Sequence, residues 1–181
     1  DVVLTYADGA HDTGGRYSSV NISKEKVARA EYNWKMFGGD WQLSGEAAFN
    51  SYDGAAHLFN LNAAGGLDEI PFPGGTGGVT EDRYESILTH SRQLAPNLSL
   101  QFGGGFEYSK LQQTGSMGLT RTFWRPKGSA SLAWNAEKGL DLSLKLARVV
   151  GQLSFSDFLA RVDLDQGKGS AGNVKLVPPQ S

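Results

Sequence analysis

The chain has 181 residues, 20% of them charged, a formal net charge of −2 and no cysteine. That balance argues against nucleic acid or another polyanion as a partner, and the absent thiols exclude disulfide staples and thiolate metal centres. No stretch approaches the roughly 20 apolar residues of a membrane helix, but a transmembrane strand needs only about 9 to 11 residues, half of them polar, so a mean hydropathy of −0.34 leaves a membrane open.

In chain order, Val2 to Ala7 reads as a first strand. Next comes the clearest signal in the chain. Ala28, Ala30, Tyr32, Trp34 and Met36 alternate with Arg29, Glu31, Asn33 and Lys35. After Phe37-Gly38-Gly39-Asp40 the alternation resumes, with Trp41, Leu43, Gly45, Ala47 and Phe49 against Gln42, Ser44, Glu46 and Asn50. Side chains on a strand point to opposite faces in turn, so this is a β-hairpin with one apolar and one polar face. The fourth strand, about Arg83 to Ser91, has no clearly apolar face. The fifth sets Leu98, Leu100, Phe102, Phe106 and Tyr108 against Ser99, Gln101, Glu107 and Ser109, with Gly103, Gly104 and Gly105 inside it as a mark of close backbone approach. The sixth carries Ala130, Leu132 and Trp134, and the seventh Leu140, Leu142, Leu144 and Leu146 against Asp141, Ser143, Lys145 and Ala147.

The connections alternate too. Phe37 to Asp40, Leu94 to Asn97 and Asn135 to Gly139 are tight, whereas Asp8 to Lys24, Ser51 to Glu81 and Leu111 to Thr120 are long. In an up-and-down sheet, successive connections emerge at opposite ends. Short turns at one end and long loops at the other are the asymmetry of an outer-membrane barrel. Trp34, Phe37, Trp41 and Trp134 sit near the tight turns, where an aromatic girdle would meet the headgroup layer. The competing reading is a soluble sandwich whose core these rings cap. The expected fold class is therefore all-β, an antiparallel up-and-down transmembrane barrel segment of about seven strands.

Residues 120–181 carry a more specific pattern. Phe123-Trp124-Arg125-Pro126-Lys127-Gly128 leads to Trp134; the Leu140 to Leu146 strand follows, then Gly151-Gln152-Leu153-Ser154-Phe155-Ser156-Asp157-Phe158-Leu159, and finally Ala171-Gly172-Asn173-Val174-Lys175-Leu176-Val177-Pro178-Pro179-Gln180-Ser181. This order resembles the barrel of TonB-dependent outer-membrane receptors. It departs from the family at Val174, where Pro is usual, and at Pro179, where Glu is usual. The resemblance implies residence in the bacterial outer membrane, contact with its lipid and lipopolysaccharide, and uptake of a scarce small-molecule nutrient such as a siderophore or glycan. It also implies a plug domain, a TonB-contacting segment and a barrel of about 22 strands. Since neither those parts nor a signal peptide is visible, the expectation is one segment, 1–181, of a barrel domain, engaging the TonB complex through missing N-terminal parts.

If the apolar face meets lipid, then Arg29, Glu31, Asn33, Lys35, Gln42, Glu46, Glu107 and Lys145 face the lumen, as do Ser44, Gln101, Lys127 and Asp141. Arg148 continues the outward row beyond Leu146. The family grips its substrate with plug apices and loops, which makes Arg16, Tyr17, His57, Phe59 and Phe72 the loop candidates here. No enzyme chemistry is expected. The glycine run after Pro73 lacks the Gly-Lys-Ser/Thr ending of a phosphate loop, and no nucleophile elbow is visible. His11, His57 and His90 stand apart, while Asp53, Asp68 and Glu69 lack a calcium-loop spacing, so neither metal nor cofactor is anticipated. The rival functions are a secreted β-sandwich that binds carbohydrate or protein through its loops and, further off, an outer-membrane barrel enzyme.

Overall fold

In a computed structural model, which describes residues 2–4, 12–114, 118–151, 155, 161–163 and 168–170, the chain forms an open, antiparallel up-and-down sheet of eight strands. These are β1 (Val2–Leu4), β2 (Thr13–Met36), β3 (Gly39–Leu61), β4 (Leu67–Ile70), β5 (Gly77–Ala95), β6 (Leu98–Thr114), β7 (Thr120–Glu137) and β8 (Leu140–Arg148). Neighbours in sequence are neighbours in space, except that β4 folds back on the far end of β3, so that β5 pairs with the nearer part of β3. A separate two-stranded ribbon joins β9 (Arg161–Asp163) and β10 (Lys168–Ser170). Among the described residues no helix is long and apolar enough to cross a membrane, which does not bear on strands.

The tight connections shrink to two residues each. Phe37 and Gly38 both have positive φ, at 54° and 72°, the signature of a type I′ hairpin turn. Gly39, just beyond, leaves room for the His90 ring, because a Cβ there would lie 2.2 Å from His90 Cε1. The other two tight turns adjoin register shifts at Gln93/Ala95 and Asn135/Glu137, bulges that put one strand a residue ahead of its neighbour.

The long connections are shorter than expected. Most of Asp8 to Lys24 and Ser51 to Glu81 is strand: β2 begins at Thr13, β3 runs to Leu61 and β5 starts at Gly77. Over 13–24 the apolar residues are Tyr17 on one face and Val20 and Ile22 on the other, a period-2 contrast too short to announce a strand. Backbone pairing requires no such contrast, and Gly15 to Met36 pair without a break against Asn60 to Gly39. At about 3.3 Å per residue the 24-residue β2 extends roughly 80 Å, of which Ala28–Met36, some 26 Å, carries the apolar alternation.

Pairing registers sort every side chain by face. One face gathers the alternating apolar residues in unbroken cross-strand rows: Tyr32, Leu43, Leu88; Ala47, Tyr84, Tyr108, Trp124; Trp134 beside Leu98 and Leu142; Leu132 beside Leu100 and Leu144. The fourth strand lacks contrast because β5 brings Tyr84, Ser86, Leu88 and His90 to this face, with Ser86 opposite Gly45 and Phe106. Pro126 stands past the end of β8, where β7 is paired to β6 alone, an edge position that spares the sheet a missing donor.

Burial inverts the arrangement of a water-soluble sheet. The apolar face is open, with Trp124 72% and Phe106 63% exposed, whereas on the polar face Glu107 and Arg125 are each 3% exposed. A small apolar cluster of Val79, Leu111, Phe123 and Phe155 covers the polar face at its loop end.

Candidate functional site: a charged face behind an aromatic-edged belt

The polar face is organised around one cross-strand row, Arg29, Glu46, Glu85, Glu107, Arg125, running over β2, β3, β5, β6 and β7. Three carboxylates side by side would repel one another. Cations from the row's ends and from the flanking rows neutralise them. Arg125 meets Glu107 at 2.5 Å, and Arg83, one row up, meets Glu46 at 3.0 Å. Arg29 lies 2.6 Å from Glu31 and 3.9 Å from Glu46. Lys127 joins Glu107 and also Glu85, which belongs to the strand beyond its neighbour.

That second reach depends on Gly105. It is the β6 residue between Lys127 and Ile87 on this face, and without a side chain there the lysine stem crosses β6 unobstructed. The glycine also seats the strands closely, since a Cβ on it would fall 2.0 Å from Ser86 O. Two rows toward the loops from that of Glu85, Glu81 accepts from Ser109 Oγ at 2.5 Å and from Asn50 Nδ2 at 3.3 Å. The network is not fully satisfied: Arg83 Nε and Arg125 Nε and Nη1 are buried without a protein acceptor. Burying a charge this way is unfavourable unless every donor finds an oxygen, so these atoms mark where the face accommodates water or an acceptor group.

All eight residues expected on the polar side, Arg29, Glu31, Asn33, Lys35, Gln42, Glu46, Glu107 and Lys145, share this face by register. Toward the tight turns it becomes a groove of about 440 Å³ lined by Asn33, Lys35, Asp40, Gln42, Thr89, Ser91 and Gln101. Glu85 and Arg125, which complete the ion-pair row, and Arg83, which joins it from the next row, are not singled out by the sequence. Arg125 could have been found by its phase, since it alternates with Lys127 and Ser129, whereas Arg83 and Glu85 lie on the strand without contrast.

The loop candidates need correction as to where they lie. Arg16 and Tyr17 lie in β2 and His57 and Phe59 in β3; only Phe72 is in a connection. The hairpin absorbs them because its backbone ladder continues past the last apolar pair. Nor do they form one cluster. Tyr17 falls on the charged face, with the Phe72 ring edge-on at 6.0 Å, while Arg16, His57 and Phe59 fall on the apolar side. His57 Nδ1 lies 2.6 Å from Glu69 Oε1, an exposed pair. Asp53 stands opposite Gly78, and Asp68 accepts from Asn62, so Asp53, Asp68 and Glu69 do not converge. Among the described residues no group of three His, Asp or Glu is placed to hold a metal ion.

On the apolar face the aromatic rings form two ladders. Near the tight turns Tyr32, Trp34, Trp41, His90 and Phe102 follow one another with centroids 4.3 to 6.1 Å apart. Nearer the loops Phe49, Tyr84, Tyr108 and Trp124 do the same at 4.9 to 6.4 Å. On β3 the ladders are separated by Trp41 to Phe49, roughly 26 Å along the strand. All four tryptophans of the chain, Trp34, Trp41, Trp124 and Trp134, are on this face. Phe37 occupies the turn itself, and Arg148 lies on this face opposite Gly128. The resembling segments at 152–154, 156–159 and 171–181 fall outside the described residues. Comparison with family models, with curated proteins and with solved structures finds no match to the chain.

Proposed function

We propose that the chain is a section of the wall of a bacterial outer-membrane β-barrel, of the TonB-dependent receptor kind, which takes up a scarce nutrient such as a siderophore or glycan. The observation that carries this reading is the inversion of the sheet: an exposed apolar belt edged by two aromatic ladders, back to back with an enclosed row of ion pairs. A membrane barrel needs an outward apolar band about 25 Å tall with aromatic girdles at both margins and a polar interior. The belt has such margins, its two ladders standing roughly 20 to 26 Å apart along the strands. Arg29, Glu46, Glu85, Glu107, Arg125 and Lys127 then form the lumen wall, and Tyr17 with Phe72 its rim on the loop side. Such a wall performs no bond chemistry. It excludes lipid from the path, and the energised step comes from the TonB complex acting on parts of the receptor outside this chain.

Tryptophan fluorescence tests the membrane part directly. In vesicles of phosphatidylcholine brominated along the acyl chain, emission shifts to the blue, and bromines near the glycerol quench more strongly than bromines near the chain end, because the four tryptophans sit toward the belt margins. A strand-rich chain whose emission stays water-like and unquenched in both vesicles overturns it. Growth tests the uptake part: a strain lacking the encoding gene loses growth on one iron or glycan source as sole supply, and undiminished growth on every source overturns uptake.

A further inference from the structure

Just beyond the Phe49, Tyr84, Tyr108, Trp124 ladder the apolar face changes character. The next row toward the loops runs Lys26, Phe49, Asp82, Lys110, and the row after it contains Lys24, Ser51, Thr80 and Gln112. Lys24 and Lys26 are successive residues of this face, so their Cα atoms are about 7 Å apart. Lys110 lies three strands over, roughly 14 Å away. The carboxylates facing the same patch are Asp82 in the row itself and Asp53, opposite Ile22. Yet among the described residues none of the three lysines makes an ion pair, although the charged face of the same strands pairs nearly every cation it has. Lys24 and Lys26 are exposed, and Lys110 is half-buried against the sheet.

We infer that Lys24, Lys26 and Lys110 form a docking row for the anionic phosphate headgroups of lipids whose acyl chains lie on the apolar belt. This rests on the barrel-wall reading and assigns to one margin of the belt a chemistry that the belt alone does not require. An ammonium on a flexible stem placed one row outside a ring ladder reaches the depth at which a phosphate sits when the chains below it contact the rings. Unpaired lysines are suited to that task because a point charge attracts a phosphate without the fixed fork of an arginine. The two neighbouring lysines can share one headgroup, and Lys110 meets another.

The chain folded into vesicles of phosphatidylcholine alone, and into the same vesicles doped with phosphatidic acid, tests the assignment by co-flotation at low ionic strength. Association is stronger with phosphatidic acid. The Lys24→Gln, Lys26→Gln, Lys110→Gln chain loses that preference by roughly tenfold or more, while the corresponding triple arginine variant keeps it. Equal association with both vesicles, or a glutamine variant that retains the preference, overturns the lipid-phosphate row and leaves the barrel wall standing. A chain that associates with neither vesicle overturns the barrel wall and the row with it.

Discussion

Phe106 and Glu107 are consecutive residues of one strand, the first 63% exposed and the second 3%. The two faces they represent are held together in the same manner, laterally across strands, with opposite chemistry. On the apolar side, rings meet rings from β2 to β7. On the charged side, carboxylates meet cations over those same strands. In a sheet made for water the enclosed side is apolar and the charges are free to be solvated. Here enclosure has gone to the charges, and on the barrel-wall reading the difference between faces corresponds to the medium each would meet. It also says that the charged face is the one sensitive to deletion, and the belt the one sensitive to insertion of a charge.

The largest expected effect breaks the charged side. Glu107 is the single acceptor of Arg125 and one of two for Lys127 among the described ion pairs. Glu107→Ala leaves a buried guanidinium that already has two idle nitrogens without its remaining partner, and destabilises the folded chain by about 3 to 5 kcal/mol. Urea unfolding in phosphatidylcholine bilayers measures it. Replacing the pair together, Glu107→Leu with Arg125→Met, recovers most of the loss, because no charge is stranded. A double variant as unstable as the single one would show that the pair does more than neutralise itself.

Leu88→Arg makes the complementary attack on the belt. Leu88 lies between the two ladders on β5, with Leu43 and Gly104 beside it. Near the middle of a bilayer an arginine on the lipid face destabilises a barrel by about 2 to 4 kcal/mol. In water, an exposed leucine changed to arginine moves stability by about 0.5 kcal/mol at most. Comparing the substitution in bilayers with the same substitution under lipid-free conditions separates the two media more cleanly than any change on the charged face.

Much of this contrast was legible in the sequence, and the reasons are specific. The hairpin from Ala28 to Phe49 alternates without interruption, and a period of two has one structural meaning, so its two faces and the side of every residue on them followed directly. The turn at Phe37 and Gly38 was marked by its glycines. What could not be read was where pairing continues with little contrast: Thr13 to Ser23 and Tyr52 to Leu61 look like loops because no sustained apolar alternation runs through them, Val20 and Ile22 being a single step, yet their backbones pair through β2 and β3. That is why Arg16, Tyr17, His57 and Phe59 read as loop residues, although they lie in strands whose phase sends Tyr17 to one face and the other three to the opposite one. The ion-pair row was half legible. Glu46 and Glu107 stand on contrasted strands, whereas Glu85 stands on one where Ser86 and His90 blur the alternation, and the crossing from Lys127 to Glu85 is a three-strand property that only registers reveal.

Gly105 connects the two faces and yields a smaller effect. Gly105→Ala sets a methyl group 2.0 Å from the Ser86 carbonyl oxygen, a backbone atom that cannot rotate away, and intrudes on the path of Lys127 toward Glu85. Overpacking of this kind destabilises by about 1 to 3 kcal/mol. If the loss arises partly from the severed Lys127 contact, then Glu85→Gln added to Gly105→Ala destabilises less than Glu85→Gln does in the parent, a coupling that a double-mutant cycle in unfolding free energy detects. Strict additivity would assign the whole effect to the backbone clash.

The smallest effect lies at the turn and carries the opposite sign. Phe37 holds a left-handed conformation, φ 54°, that a bulky side chain adopts at a disadvantage of about 1 kcal/mol and that asparagine tolerates. Phe37→Asn therefore stabilises the hairpin by about that amount wherever the turn alone decides, as in detergent micelles with no defined headgroup plane. The ring is 77% exposed, in the turn that joins the strands carrying Trp34 and Trp41. If it anchors that end of the belt at a membrane surface, the same substitution gains less in bilayers than in micelles, because the lost anchor offsets the relieved backbone. An equal gain in both media would mean that phenylalanine at this position serves neither the turn nor the membrane surface, and would remove Phe37 from the girdle while leaving the two ladders in place.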